Sequence, residues 1–206
     1  MTRDPPPKFL YFDLGNVLVH FDHDVMCRNM ADAMQSDVEA VARVLFDDGV
    51  EQQYETGELT EAEFCARLRE ATATTARDDV ILESHANIFT MNQALLPVLA
   101  ALRKTGRRMG VLSNTCVSHW RHCCRRFEPV AGFSLAALSF EARCMKPDFP
   151  IYQYAAELSE TAPSETFFVD DRIENVVAAL EFGFDAVPFV SASGLWSDLR
   201  DRHLAV

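Results

Sequence analysis

Residues 8–18 have the sequence KFLYFDLGNVL, an apolar and aromatic run that ends in Asp13 and continues directly into Gly15. A short apolar run closed by a polar residue is typical of a strand buried inside a sheet. Residues 8–12 therefore predict a buried strand, and Asp13 is predicted to stand at its carboxyl end.

Four later runs have the same apolar character, and most of them are also followed by polar residues. They comprise residues 107–112, 132–139, 166–169 and 186–190. Segments with apolar residues at helical spacing lie at residues 92–104, 148–160 and 173–182. Strands that alternate with helices predict an α/β fold with a central parallel five-stranded sheet covered on both faces. Ligands in such folds bind at the carboxyl ends of the strands.

Residues 24–89 differ from the rest of the chain, because they carry helix-start signals and no strand signal. Ser36 with Glu39, and Thr60 with Glu63, match the capping box, in which two side chains satisfy backbone N–H groups at a helix start. An insertion of roughly 65 residues is too long for a simple crossover loop. We therefore expect a separate helical unit between the first and second strands of the sheet.

The predicted domain organisation follows from this insertion. Residues 1–20 and 92–206 are expected to form the α/β core, and residues 21–91 are expected to form a helical cap.

Four polar clusters carry the chemistry, and each is expected near a strand end. They are Asp13, Ser113-Asn114, Lys146-Pro147 and Asp170-Asp171. A carboxylate such as that of Asp13 can attack phosphorus and form an aspartyl phosphate. The hydroxyl of Ser113 and the amide of Asn114 can donate to phosphoryl oxygens. The ammonium of Lys146 suits a phosphate group and would lower the pKa of Asp13.

The acidic pair predicts a cation site. Adjacent acids such as Asp170 and Asp171 repel each other, and burying both is costly unless a cation binds. With Asp13 they form a set of oxygen ligands suited to a hard divalent cation. Asp171 is the better candidate for direct ligation, and Asp170 is either a ligand or an outer partner. Glycine allows close backbone approach and unusual dihedral angles, so the Gly15 carbonyl is a further candidate ligand.

These clusters resemble, in order and spacing, the motifs of the haloacid dehalogenase superfamily. More narrowly, the run DLGNV followed by a helical insertion is similar to subfamily IA members with a helical C1 cap. That group includes bacterial alpha-glucose-1-phosphate phosphatases and the N-terminal phosphatase domain of soluble epoxide hydrolases. The resemblance implies a Rossmann-like three-layer core and Mg²⁺-dependent hydrolysis of a small phosphorylated metabolite, such as a sugar 1-phosphate, through an aspartyl phosphate on Asp13.

One position departs from the superfamily pattern. Most of its phosphatases have a second Asp two residues after the nucleophile, as general acid and base, and here that position is Gly15. General acid–base catalysis typically contributes about 10²–10⁴-fold. We expect either a substrate with a good leaving group, or a stand-in such as water or a cap residue. His20 and Asp22 are the nearest side chains that could serve.

Two alternatives stay open beside the phosphatase. A 2-haloacid dehalogenase would share the fold and also lack the second Asp, but it needs no metal, and the acidic pair Asp170-Asp171 argues for one. A non-catalytic phosphate-binding module would account for Gly15. Turnover of phosphate esters separates the lead hypothesis from both.

The bulk properties restrict partners and location. The chain has 206 residues, a formal net charge of −12 and six cysteines without a C-x-x-C pair. A negative field repels nucleic acid and anionic membranes, so neither is an expected partner. Residues 1–7 contain three consecutive prolines and predict a loose tail, and no apolar run approaches the roughly 18 residues that span a bilayer. Reduced thiols in the cytoplasm are the simpler interpretation. The oligomeric state is left open.

Other polar residues receive structural interpretations. Arg172 is expected to position the loop beside the acidic pair. His119, His122, Cys123 and Cys124 lack the second ligand pair of a usual zinc site, so we expect a helix face near the surface.

Further residues are assigned to packing or to the solvated surface. Asn175 is expected, like Arg172, to position the acidic loop. Trp120 and Phe127 are expected to pack rather than to form a stacking platform. Asp47-Asp48 and Glu51 are expected to form a solvated acidic surface on the cap.

Overall fold

The computed structural model describes residues 6–204, so residues 1–5 of the predicted N-terminal tail lie outside the described residues. Its strands are β1 (Phe9–Phe12), β2 (Val19–His20), β3 (Thr90–Met91), β4 (Arg108–Ser113), β5 (Ala136–Leu138), β6 (Thr166–Asp170) and β7 (Asp185–Pro188). Its helices are α1 (His23–Met34), α2 (Val38–Ala42), α3 (Val50–Glu55), α4 (Glu61–Thr72), α5 (Asp78–Ala86), α6 (Leu96–Lys104), α7 (Val117–Arg126), α8 (Glu128–Ala131), α9 (Ser139–Ala142), α10 (Phe149–Ser159), α11 (Ile173–Phe182) and α12 (Ala192–Asp201).

Five strands form one parallel sheet in the order β5-β4-β1-β6-β7. β1 is the central strand, and its Phe12 pairs with Val111 of β4 on one side and with Val169 of β6 on the other. The N–H of Asp13 extends this pairing, since it donates to the carbonyl of Val169 at 2.9 Å. The carboxyl ends of three neighbouring strands therefore lie side by side. The predicted five-stranded parallel sheet is confirmed.

The sheet separates two apolar layers. Side chains alternate along a strand, so Leu10 and Phe12 enter one layer while Phe9 and Tyr11 enter the other. Helices α6, α7 and α12 cover the first layer, and α10 and α11 cover the second. This arrangement is the three-layer α/β core that the alternation of runs predicted.

Helices α1–α5 follow β2 and precede β3, and they enclose a hydrophobic cluster of their own. Its fully buried members include Met26, Leu45 and Phe64. β2 and β3 pair antiparallel at the base of the insertion, with Val19 opposite Met91. The helical character expected of this region is present, while the boundaries at residues 20/21 and 91/92 stay a prediction.

The two predicted capping boxes have different outcomes. At Thr60 the box is formed, because the Glu63 N–H donates to the Thr60 hydroxyl and the Thr60 N–H donates to the Glu63 carboxylate. At Ser36 the prediction is wrong: α2 begins at Val38 after Asp37, without a side-chain cap. The Ser36 N–H instead donates to the carbonyl of Ala31, so it closes the end of α1.

Two strand predictions were too long or shifted. The run 132–139 is a strand only over Ala136–Leu138, because residues 132–135 form the turn that follows α8 and helix α9 already begins at Ser139. The run 186–190 corresponds to β7, which pairs with β6 up to Pro188. Among residues 6–204, no helix is both long and apolar enough to cross a bilayer.

Candidate active site

The carboxyl edge of the sheet opens into a cavity of about 370 Å³. The predicted residues Asp13, Gly15, Asn114, Lys146 and Asp171 all line it. Ser113 lines a smaller adjoining cavity, and Asp170 lies beneath the first one, fully buried. The structure thus brings together all seven site residues expected from the sequence.

Lys146 is the link between the two acidic clusters. Its Nζ lies 2.8 Å from Asp13 Oδ1 and 2.6 Å from Asp170 Oδ2, and it donates to the carbonyl of Leu112 at 2.9 Å. An ammonium has three donors, and these three partners use all of them. In this arrangement Lys146 orients the Asp13 carboxylate and compensates its charge.

Burial is the largest single influence on the pKa values of both Asp13 and Lys146. Burial raises the pKa of Asp13 to about 7, against the opposing effect of the Lys146 ammonium, so the predicted lowering by Lys146 is present but outweighed. For Lys146, burial lowers the pKa, but the charges of Asp13 and Asp170 outweigh it and leave the pKa above its usual value. A further positive charge beside Asp13 would favour its ionised form.

The two adjacent acids have different environments. Asp170 is fully buried, and both of its carboxylate oxygens accept hydrogen bonds: Oδ1 from the Arg172 N–H at 2.8 Å, and both oxygens from the Asn175 amide. Asp171 is half-buried and faces the cavity, where its Oδ2 accepts from the Asn16 amide at 3.1 Å. This difference favours Asp171 as a direct ligand and Asp170 as its support. The hydrogen bonds from Arg172 and Asn175 to Asp170 also agree with the expected role of both residues in positioning the acidic loop.

Ser113 and Asn114 contribute differently from each other. Asn114 accepts from the Lys146 N–H at 2.8 Å and donates to the Lys146 carbonyl at 2.9 Å, so its amide fixes the lysine loop against the end of β4. The hydroxyl of Ser113 lies 3.2 Å from the carbonyl of Asn114. Because a hydroxyl can rotate, Ser113 can redirect its proton to a phosphoryl oxygen.

The turn after Asp13 differs from the expectation for Gly15. The residue with left-handed dihedral angles is Asn16 (φ 53°), not Gly15. Glycine leaves space for the Phe21 ring, because a Cβ atom at position 15 would lie 2.7 Å from Cε1 of Phe21. The N–H of Asn16 donates to the carbonyl of Val19 at 2.7 Å and closes the turn.

The acidic residues fit a magnesium ion. Asp13, Asp170 and Asp171 present carboxylate oxygens that lie within 4.8 Å of one another. Hard cations such as Mg²⁺ prefer this all-oxygen donor set. Lys146 supplies one ammonium, paired with Asp13 and Asp170, against three carboxylates, so the group has an excess of negative charge that a divalent cation would balance.

The helical insertion supplies the other wall of the cavity. His23, Phe46, Gln52 and Glu55 line it from α1, from the π-helical turn Arg43–Asp47 and from α3. The stand-ins suggested from the sequence lie elsewhere: His20 is exposed and absent from the lining. Asp22, also absent from it, accepts from the N–H groups of Asp24 and Val25 and caps α1.

A buried polar network joins the cap helices α3 and α5 to α7, and it corrects two expectations. Glu51 is buried, not solvated, and its Oε2 lies 2.9 Å from His85 Nε2, whereas Asp47 and Asp48 are exposed as expected. His119 is buried too, which contradicts its expected place near the surface. The pKa of Glu51 is below its usual value, because the interactions with His85 outweigh the opposing effect of burial.

The same correction applies to the rest of the α7 residues considered for zinc. His122 and Cys123 are buried, and Cys124 is half-buried. The sequence of α7 alone could not show that its histidine face meets α5. Trp120 and Phe127 pack against the core of the sheet, as expected.

The network has metal-ligand residue types, yet its geometry favours hydrogen bonding. Glu51, His85, Cys116 and His119 offer ligand atoms within 4.8 Å of one another. The rings of His85 and His119 are stacked, with centroids 4.0 Å apart and an interplanar angle of 11°. An imidazole nitrogen presents its lone pair in the plane of its ring, so two rings stacked in parallel cannot both aim at an ion between them. His119 Nε2 instead lies 3.2 Å from the carbonyl of His85.

Sequence reasoning missed Glu55 and Ser139. Glu55 is an acid at the end of a cap helix, and its sequence context resembles that of many exposed glutamates. Ser139 is fully buried and holds Glu55 by its backbone, with its Oγ 2.7 Å from the Glu55 carbonyl. The sequence signal nearby is Gly57, which lies two residues after the end of α3 and has a positive φ of 70°.

Comparison with known proteins supports the motif assignment. The family model for haloacid dehalogenase-like hydrolases matches residues 8–183. The chain is 26% identical over 186 residues to D-ribitol-5-phosphate phosphatase of Bacteroides thetaiotaomicron, with 86% of this chain and 89% of that protein covered.

Solved structures give the same result. A haloacid dehalogenase family enzyme of B. thetaiotaomicron is 28% identical, with a TM-score of 0.79 over 96% of this chain and 99% of that one. Its wild-type complex with magnesium and inorganic phosphate has a TM-score of 0.77 over 90% and 95% of the two chains, also at 28% identity.

Proposed function

Because this chain belongs to the haloacid dehalogenase-like hydrolases, we propose that it is a magnesium-dependent phosphatase of small phosphorylated metabolites. The proposed nucleophile is Asp13, which forms an aspartyl phosphate that water then hydrolyses. The alternative non-catalytic module lacks support of this kind, since a relative that aligns with 86% of this chain is D-ribitol-5-phosphate phosphatase.

The observation that carries the proposal is the group of charges at the ends of β1 and β6. Lys146 Nζ bridges Asp13 and Asp170, and Asp171 faces the same cavity. An oriented carboxylate with a neighbouring cation site suits in-line attack on a phosphoryl group, because catalysis there depends mainly on positioning and on charge stabilisation. The complex of the related enzyme with magnesium and phosphate supports the same use of the fold.

In this proposal Asp13 and Asp171 hold Mg²⁺, with the Gly15 carbonyl as a further ligand and Asp170 as an outer partner. When bound, the ion would neutralise charge on the phosphoryl oxygens and on the carboxylates around it. The chain's own residues orient the nucleophile and bind the phosphoryl group. Leu14 N–H, at 2.7 Å, and Lys146 both hold Oδ1 of Asp13 and so fix the rotation of its carboxylate. Ser113 donates to the phosphoryl group.

The reaction has two displacements at phosphorus. An oxygen of Asp13 forms a bond to phosphorus, and the ester oxygen leaves with the bonding electron pair and acquires a proton. A water oxygen then attacks the phosphorus of the aspartyl phosphate, loses its proton, and releases inorganic phosphate and the free carboxylate.

The cavity wall suggests a hydroxylated substrate. His23, Gln52 and Arg172 have hydrogen-bonding side chains and line the same cavity as Asp13. Its volume of about 370 Å³ is in the lower part of the range for small-molecule sites. The relative that acts on D-ribitol 5-phosphate supports a polyol or sugar phosphate as the substrate class. A sugar 1-phosphate is a member of that class.

A phosphatase screen tests the proposal. The purified protein is assayed for phosphate release from D-ribitol 5-phosphate, glycerol 3-phosphate, hexose 1-phosphates and hexose 6-phosphates, with Mg²⁺ or with chelator. We expect Mg²⁺-dependent turnover that Asp13→Asn abolishes and that Asp47→Asn, an exposed cap residue, leaves unchanged. Asp13→Asn at the parent rate ends the proposal. Chloride release from 2-haloacids in the presence of chelator would instead establish the dehalogenase.

A further inference from the structure

We propose that Glu55, a residue of the helical insertion, is the general acid and base that position 15 does not supply. The inference rests on the proposed phosphatase function and assigns a catalytic residue within it. Glu55 lines the main cavity together with Asp13, Gly15 and Lys146.

The placement of Glu55 makes it the available carboxyl group. Glu55 is the last residue of α3, is half-buried, and lines both the main cavity and the adjoining one that contains Ser113. Two other acids line the main cavity beside Asp13, and both have other partners. Glu51 is paired with His85, and Asp171 belongs to the proposed cation site.

His23 is the remaining titratable side chain from the insertion in this wall. It is exposed, and its ring contacts the rings of Phe21 and Phe46, with centroids 5.0 Å and 5.1 Å apart. Like Glu55, His23 lines both cavities, but it is exposed to solvent whereas Glu55 is half-buried. The more buried Glu55 is therefore the better candidate for proton transfer to a leaving group bound against Asp13.

Three contacts fasten the segment that carries Glu55 to the α/β core. The carbonyl of Glu55 lies 2.7 Å from the Oγ of the fully buried Ser139, at the start of α9. On one side, the hydroxyl of Tyr54 accepts from the Ser118 N–H at 3.3 Å. On the other, the carbonyl of Gly57 accepts from the Arg143 guanidinium. These contacts with the core fix the position of the Glu55 backbone relative to Asp13.

Gly57 shows how closely this segment approaches the core. A Cβ atom on Gly57 would overlap the carbonyl oxygen of Phe140, and its φ of 70° suits glycine. The close approach brings the end of α3 down to the edge of the sheet. It is this approach that places the Glu55 side chain inside the cavity.

The local charges suit an acid that starts protonated. Burial raises the pKa of Glu55 to about 8, and the negative charges of Glu51 and Asp13 add to the effect, while Lys146 opposes it. A general acid needs a pKa near the operating pH, so that it can both give and recover its proton. A carboxyl in this environment meets that requirement near neutral pH.

Glu55 donates a proton in the first displacement and accepts one in the second. In the first displacement, the bond between phosphorus and the ester oxygen breaks, and the departing alkoxide takes the proton of the Glu55 carboxyl to become an alcohol. In the second, the resulting Glu55 carboxylate takes a proton from water as the water oxygen bonds to phosphorus. The bond from phosphorus to Asp13 then breaks, phosphate leaves, and Glu55 is protonated again.

The test compares leaving groups in the Glu55→Gln variant. The two substrates are p-nitrophenyl phosphate, whose leaving group is stable as an anion, and the alkyl phosphate that the parent hydrolyses fastest in the screen. For Glu55→Gln we expect kcat/KM to fall about 10²-fold or more with the alkyl phosphate, and less than about tenfold with p-nitrophenyl phosphate. The same variant should show a burst of nitrophenolate, because slowed hydrolysis lets the aspartyl phosphate accumulate.

Two further variants separate chemistry from structure. Glu55→Asp keeps a carboxyl on a shorter side chain and should recover part of the alkyl phosphate activity. Glu58→Gln, an exposed glutamate three residues later, should retain the parent rates. Equal losses on both substrates, or no loss on either, overturn the role of Glu55 while leaving the phosphatase intact. A parent protein that hydrolyses no phosphate ester is instead a failure of the proposed function.

Discussion

The ring of Phe21 occupies the space in which a side chain on Gly15 would begin, since a Cβ atom at position 15 would lie 2.7 Å from Phe21 Cε1. The ring is held there by neighbours: its centroid lies 5.0 Å from that of His23 and 6.0 Å from that of Phe89. An aspartate at position 15 would therefore have to displace this ring from its neighbours.

The first prediction concerns that contact. Gly15→Asp forces the Phe21 ring away from its neighbours, and overpacking of this kind costs about 1–3 kcal/mol. We expect a lower melting temperature for Gly15→Asp, and partial recovery when Phe21→Ala is added. Differential scanning fluorimetry of the single and double variants measures both. A Gly15→Asp variant as stable as the parent would show that the ring moves freely.

The second prediction concerns the ammonium between the buried carboxylates. Lys146→Met leaves Asp13 and Asp170 buried without their common partner, and removing one partner of a buried ion pair costs about 3–5 kcal/mol. Mg²⁺ should relieve the repulsion, so it should raise the melting temperature of Lys146→Met by more than that of the parent. Lys104→Met, at an exposed lysine, is the control. A smaller Mg²⁺ effect in Lys146→Met than in the parent contradicts the proposed cation site.

The third prediction tests the fastening of the insertion. Ser139→Ala removes the hydroxyl that contacts the Glu55 carbonyl and accepts from the Thr115 N–H at 2.9 Å. An unsatisfied buried N–H costs about 1–3 kcal/mol, so urea denaturation should show a loss of that size. The exposed Ser134→Ala variant should lose much less. Equal losses in the two serine variants would mean that the contact does not stabilise the fold.

The fourth prediction concerns acid stability. Burial lowers the pKa of His119 from 6.5 to about 3. The unfolded chain therefore binds more protons than the folded one between these pH values, and the free energy of unfolding falls as the pH drops below about 6.5. One such histidine contributes a slope of up to about 1.4 kcal/mol per pH unit. Urea denaturation from pH 7 to pH 5 should give a shallower decline for His119→Gln than for the parent. Parallel curves would contradict the burial effect.

Most of the core was predictable because each strand combines an apolar run with a polar end. The pattern at residues 8–18 correctly placed β1 and Asp13, and α11 matched the predicted range, Ile173–Phe182. Strand ends were less predictable. β5 is three residues long because a turn takes residues 132–135 and α9 begins at Ser139, and an apolar run does not show where a turn or a short helix replaces a strand.

The site was predictable where a residue acts through its own motif. Asp13, Lys146 and Asp171 line one cavity. Asp13 and Asp171 follow β1 and β6 directly, as expected, whereas Lys146 lies in the loop between α9 and α10 and not at the end of a strand. Glu51 and Glu55 were not predictable, because both lie on a cap helix and their burial depends on tertiary contacts. Glu51 is buried through its contact with His85, 34 residues away, and no local pattern records that distance.

The helices of the insertion pack around their own apolar cluster, apart from the two clusters on the faces of the sheet. Substitutions at Phe46 or Gln52, in the ceiling of the cavity, can therefore change its shape without moving the strands that carry Asp13 and Asp170. A new ester could be accommodated by reshaping the ceiling alone, with the phosphate-cleaving floor left intact. For a protein engineer, altered selectivity and retained chemistry are separable goals in this molecule.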